Sequence, residues 1–400
     1  MGIPMRSKIS YGLIIVLLAY LALLLGTPSV AHADGGAPNL AYVAGSAQGI
    51  SVIDVAQQKV TGNIPTQSTP HMILLSLDAR FIYATEPDTG KVAILGAKTG
   101  ETICTANVAG QPSLLALDGS TNILYAAGNG ANTVTSLDAT NCSIKRTFQV
   151  KGAVQGLAVA TIGTSISGSS GNQLWVADTD SLTIFDGVNG NQLGNVPIPG
   201  GPQYVSIPPG ATVYVTTRQG SIVAVGLNQH QPVTLVTGGT YGPMDYDQIT
   251  GQVYVPDMQK EQIVVLAPVN PGFTPPHEPV RTISLGVQPV SIAITSDGQL
   301  GFVALSGGNV AMLDIPARGQ VINTFSVGGD PRFVITGMYP PVIGTTPQQA
   351  NQLGIIINIA AYAFVIALLI IPILLFRRYA KARTQVQQTT DEIEPPHEEP

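Results

Sequence analysis

The sequence predicts an all-β protein, a ring of seven four-stranded antiparallel blades set between two membrane-directed segments. Three observations carry this expectation. An aromatic residue at the start of an apolar strand returns at Tyr42, Tyr83, Tyr125, Trp175, Tyr214, Tyr254 and Phe302, with spacings of 41, 42, 50, 39, 40 and 48 residues. A proline in a glycine-rich link returns with it, at Pro70, Pro112, Pro202, Pro243, Pro289 and Pro331, while Val154 holds the equivalent place in the fourth unit. Between the two ends no segment has a helical period, and β-branched or aromatic residues alternate with small or polar ones. Repeats of 40–50 residues built from short alternating strands form β-propellers, because one blade cannot bury its own faces and must stack on its neighbours.

The chain opens with a secretory signal. Arg6 and Lys8 give a positive start, residues 11–25 are an uncharged apolar run, and Ala31-His32-Ala33 supplies the small residues that precede cleavage before Asp34. Residues 34–38 link it to the propeller, which occupies 39–337.

The second unit can be read in full. Residues 72–77 form strand a, 81–86 strand b, 91–97 strand c and 102–108 strand d, with turns at Asp78-Ala79-Arg80 and Pro87-Asp88-Thr89-Gly90. The first unit, 39–64, holds strands b, c and d but no strand a. The last segment, 330–336, is a lone strand a. Joined in one blade they close the ring and remove an open sheet edge. Two insertions account for the long spacings. Residues 162–172 lengthen the a–b turn of blade four with Gly and Ser, and 267–281 lengthen the c–d turn of blade six with five prolines.

After a spacer at 338–352, residues 353–376 carry no charge and are long enough at 1.5 Å per residue to cross a hydrocarbon core of about 30 Å. Arg377, Arg378, Lys381 and Arg383 follow at once. Positive charge stays on the cytoplasmic side, so 353–376 is expected to be a transmembrane helix, 377–400 a cytoplasmic tail, and the propeller extracytoplasmic. In this blade order both ends of the ring lie on the a–b/c–d face. That face is expected to look towards the bilayer, and the b–c/d–a face away from it.

Tyr42-Val43 followed by Val52-Ile53-Asp54-Val55, and Tyr214-Val215-Thr216-Thr217 followed by Ile222-Val223-Ala224-Val225, resemble the YVTN-repeat propellers of the YncE-like and surface-layer type. Thr217 stands where that family usually has Asn. The resemblance covers roughly 39–337 and implies a seven-bladed propeller. Related repeats occur in lactonase-like propellers. The shared residues are strand and turn positions, so they speak to fold rather than chemistry.

Composition narrows the function. The formal net charge is −6, with 18 Lys and Arg against 24 Asp and Glu, which offers no basic footprint for nucleic acid. Haem-attachment, nucleophile-elbow and zinc-protease motifs are missing from the sequence. His71, His230 and His277 come from different blades without metal-ligand spacing, and no cofactor is expected. Asp54, Asp138, Asp186 and Asp314 each end a strand c, where aspartate closes turns. Asp178-Thr179-Asp180 offers two carboxylates but not the rest of a calcium loop.

The candidate binding residues are charged side chains of the outward turns and links: Glu86, Asp88, Asp178, Asp180, Arg218, Asp257 and Lys260, with His71 and Arg332 at the channel mouth. The two cysteines, Cys104 in the outer strand of blade two and Cys142 in the c–d turn of blade three, occupy a compartment that permits a disulfide. A bridge needs Cα atoms within about 7 Å, and outer strands of adjacent blades splay apart, so two free thiols are the simpler expectation and a Cys104–Cys142 bond the alternative. The expected role is a non-enzymatic binding or scaffold module whose partner is an envelope protein or polymer. A lactonase-like or metal-dependent hydrolase at the channel mouth is one alternative, and a surface-layer component is another.

Overall fold

The computed structural model describes residues 39–340, apart from residue 129, 162–171 and 271–273, together with residue 372. The signal segment, its linker, the apolar run at 353–376 and the tail lie outside these residues. Among the described residues no helix is long and apolar enough to cross a membrane.

Seven separate four-stranded antiparallel sheets form the ring. In each, strands b and c are buried on both faces. Leu40–Ser46, strand b of blade one, is buried throughout, whereas the outermost strand Lys59–Ile64 alternates with solvent. Central strands packed on two sides must be apolar at every position, and an outer strand only at every second. Blade two shows the local rules at work. Its strands are Ile73–Leu75, Phe81–Glu86, Lys91–Gly96 and Thr102–Asn107. The Pro-Asp-Thr turn between b and c is one short 3-10 turn, Pro87–Thr89, ended by Gly90 at φ 69°. Strand a is shorter than the expected 72–77 because Asp78 takes the Ser76 hydroxyl at 2.7 Å and turns the chain early.

The core consists of seven apolar clusters, each filling the gap between two adjacent blades. The repeated aromatics sit in these gaps, Tyr42, Trp175, Tyr254 and Phe302 with no exposed surface. A large ring on strand b reaches the neighbouring sheet, which is why this position recurs as an aromatic. The c–d pairs of six blades carry a register shift, the bulge that adds twist to a sheet edge. Blade six, with the long insertion, pairs without one.

Ring closure follows the sequence expectation. Phe333–Gly337 is strand a of the blade whose b, c and d strands come from 40–64. It pairs with the first strand over Leu40↔Gly337 to Ala44↔Phe333. The seam is locked to blade seven as well, where the Val334 amide donates to Ser291 Oγ at 3.1 Å and Thr336 Oγ1 donates to the Ile294 carbonyl at 3.2 Å. Gly45 is required here: at φ +82°, a Cβ on it would lie 2.2 Å from the Asp330 carbonyl oxygen.

One expectation needs correction. Cys104 and Cys142 are joined in a disulfide with a Cα–Cα distance of 5.9 Å. The bridge runs from an outer strand to a turn rather than between two outer strands. The c–d turn of blade three folds inward, burying Cys142 in the same cluster as Val92, Ile94 and Ala106 of blade two. The proline-rich insertion of blade six is fastened to its neighbour. The Val269 amide donates to Tyr214 Oη at 2.7 Å, Thr212 Oγ1 donates to the Val269 carbonyl at 2.6 Å, and His277 Nδ1 lies 3.2 Å from the Thr234 carbonyl. The insertion is a strap across blade five. Of the blade-four insertion, residues 162–171 lie outside the described residues. Asn172, at its end, donates to Asp118 Oδ1 and Ser120 Oγ of blade three at 2.6 Å each.

Candidate functional site

The repeated proline of each link starts the innermost strand or lies up to three residues before it. In each repeat, residues one to three positions past this anchor line the bore. This places His71 and Met72, Ser113 to Leu115, Leu157, Tyr204, Met244, Val290, and Arg332 with Phe333 around one cavity of about 320 Å³ at the b–c/d–a end. All seven blades contribute to it.

His71 is half-buried. Its Nδ1 lies 3.1 Å from the Ser113 carbonyl, which can only accept, so the neutral ring carries its proton there and its lone pair on Nε2. Burial, and then the charge of Arg332, hold His71 below the ordinary histidine range, opposed by the Ser113 bond. Arg332 is exposed and pairs with Asp330 at 2.8 Å. Its backbone amide is fixed by the Ala44 carbonyl at 3.0 Å. Burial raises the Tyr204 phenol above its ordinary value, and the Tyr204 amide is held by Thr216 Oγ1 at 3.2 Å. Met72 Sδ accepts the Leu115 amide at 3.2 Å, which ties blade two to blade three at the rim. The mouth is an apolar cup with one guanidinium, one neutral imidazole, one phenol and one carboxylate.

Of the sequence candidates, only His71 and Arg332 line this cup. Glu86, Asp178 and Asp257 are buried, at 1%, 2% and 0% exposure, and so cannot serve as outward ligands. Each sits at or just after the end of a strand b and closes the b–c turn, because buried turn amides need an acceptor. Glu86 accepts the Gln67 amide at 3.2 Å and the Thr89 hydroxyl at 3.2 Å. Asp178 accepts the amides of Asp180 and Ser181 at 3.1 and 3.0 Å and the Thr183 hydroxyl at 3.1 Å. Asp257 accepts the amides of Thr240 and Gln259 at 3.2 Å each. With its oxygens so engaged, Asp178 does not form a cation site with Asp180.

Asp88, Asp180, Arg218 and Lys260 are exposed on their turns, as expected, but outside the mouth. Arg218 Nη2 donates to the Thr179 carbonyl and so joins blade five to blade four. Tyr204, Asp330, Met72, Met244, Met258 and Phe333 were missed. Met72, Tyr204, Met244 and Phe333 follow a link proline by one or two residues, a backbone signal that charge does not reveal, whereas Asp330 precedes one and Met258 lies in the b–c turn of blade six. Asp54, Asp138, Asp186 and Asp314 close their turns as the sequence implied, each accepting an amide two or three residues on at 2.8 to 3.0 Å. Among the described residues no group of three or more His, Cys, Asp and Glu is placed to hold a metal.

No family model matches the chain, and no curated protein does so. Solved structures match it across the ring. A protein from Lactobacillus plantarum superposes with a TM-score of 0.61 at 12% identity, covering 74% of this chain and 98% of that one. A putative 6-phosphogluconolactonase from Bacteroides uniformis gives 0.59 at 18% identity, covering 74% and 99%. Dihydro-heme d1 dehydrogenase NirN in complex with DHE gives 0.54 at 13% identity, covering 78% of each chain. At these identities the likeness defines a class, the seven-bladed β-propellers, and no more than that.

Proposed function

We propose that the chain is a membrane-anchored extracytoplasmic propeller of the YVTN-repeat type. In this reading it acts as a non-enzymatic binding module and holds a ligand or an envelope partner at its channel mouth. The observation that carries the reading is the cup itself. Its Met, Leu and Val walls supply contact area, and Arg332, Tyr204 and His71 supply a few oriented polar groups on a rigid frame, the make-up of a recognition site. The anchor rests on the uncharged run at 353–376 with its basic flank. Photo-crosslinking in intact cells tests it. A photoreactive residue at Met258 is expected to capture a discrete partner, and capture is expected to fall with Arg332→Ala. The same probe at Ile144, on an outer strand, serves as control. Equal labelling from both positions would sink the reading.

One observation favours a second reading. The His71 lone pair on Nε2 makes it a candidate general base. A propeller hydrolase acting on lactones would use it to activate water. Lactone turnover by the purified chain that disappears in His71→Ala would favour this reading over the first.

A further inference from the structure

Below the mouth the bore holds a second chamber of about 210 Å³, lined by blades six, seven, one and two. Met244 and Phe333 line both spaces, so they form the waist between them. Its lining includes Leu74, Ile292, Ile294, Ile335 and Phe333, with Gln248 and Thr336 as polar members. One ionisable carboxyl, Asp245, stands among them. The group is pinned from one side, with the Ile294 amide donating to Oδ2 at 2.7 Å. None of the ion pairs among the described residues includes it. Its place in strand a is unusual too. The innermost strand of blade six is only Asp245–Tyr246, and the Asp245 carboxylate reaches across to the Ile294 amide of blade seven. Burial pushes the Asp245 carboxyl up to about 6, against its bonds from the Ile294 and Tyr246 amides. A negative charge set back from solvent without a counter-charge is costly, and an incoming cation offsets that cost. A carboxylate among such side chains suits an organic ammonium, whose alkyl groups pack on Phe333 and the isoleucines while its charge meets Asp245.

We infer that this chamber is a binding site for small alkylammonium ligands, with Asp245 as counter-ion and the Phe333 ring as apolar wall. The inference is independent of the reading of the mouth, since none of the mouth's polar side chains takes part. The site selects by charge within a space of mixed polar and apolar lining. It admits primary or quaternary amines and discriminates against neutral molecules of the same shape.

Calorimetric titration of the purified full-length chain tests this with choline, n-butylammonium and the uncharged choline isostere 3,3-dimethylbutan-1-ol. One of the two cations is expected to bind saturably with one site per chain. The isostere is expected to bind at least about tenfold more weakly, a difference of about 1.4 kcal/mol. Asp245→Asn, checked for an intact melting transition, is expected to abolish the preference for charge. Phe333→Leu provides a second variant that keeps the carboxylate, and it is expected to weaken the cation several-fold. Failure of both cations to bind, equal binding of the isostere, or a preference unchanged in Asp245→Asn would overturn the inference.

Discussion

Removing the Cys104–Cys142 bond gives the most direct test of how blades two and three are held together. The bond closes a loop with a sequence separation of 38 residues. In the chain-entropy model, closing such a loop lowers the entropy of the unfolded ensemble by about 13 cal/mol/K, or about 4 kcal/mol at 25 °C. For a propeller of this size the unfolding entropy is about 0.6 kcal/mol/K, so the loss corresponds to a Tm lower by about 6 °C. The assay is thermal unfolding followed by circular dichroism on the intact chain and on Cys104→Ala with Cys142→Ala, each with and without reductant. Alanine fits the buried Cys142 site without adding a polar group. The intact chain is expected to lose stability on reduction, and the double variant to be indifferent to reductant. An intact chain whose transition moves by less than about 1 °C on reduction would refute the reasoning, because an entropic tie of this length cannot be silent in a cooperative ring.

Three further outcomes follow from the same structure. Asp178→Ala removes an acceptor for two amides and a hydroxyl in a buried turn and is expected to cost about 2–3 kcal/mol in chemical denaturation, while Asp180→Ala, on an exposed neighbour, is expected to change little. Asp245 ionises near 6 in the fold against 3.8 for a free side chain. The folded state thus holds an extra proton between these values, and the stability tied to that proton is full below 3.8 and lost as pH rises through 6. Asp245→Asn is therefore expected to match the parent near pH 3.5 and exceed it above pH 7 by up to about 3 kcal/mol, reduced by water in the bore, as read from urea midpoints across pH. Truncating the chain before residue 330 opens the seam between blades one and seven, and the fragment is expected to lose its cooperative melt and to aggregate, which light scattering detects.

Much of the ring was legible because its determinants are local and repeated. The period of Tyr42 through Phe302 marks strand b, and the prolines from Pro70 to Pro331 mark the start of each inner strand. The missing strand a of the first unit matched the orphan strand at 333–337, and pairing confirms it. The site was less legible. His71 and Arg332 were recognisable as mouth residues from their place beside the link prolines. Glu86, Asp178 and Asp257 resembled their exposed neighbours Asp88, Asp180 and Lys260 in sequence, yet three are buried turn acceptors and three are open. A carboxylate that serves an amide two residues on and one that meets solvent have the same local pattern. The count of unsatisfied amides around them differs, and that count depends on the neighbouring strand.

Residue order alone settled the number of blades, the closing strand and the roles of the turn aspartates at the ends of strands c. The assembled ring decided what no single repeat encodes: which side chains share the bore, that Asp245 stands among side chains of four blades, that Cys142 turns in far enough to reach Cys104, and that the blade-six insertion binds blade five. The division has a physical cause. Alternation and turn chemistry act within a few residues of the chain, whereas burial, desolvation and bridging distance depend on neighbours about forty residues away that only blade stacking brings into contact.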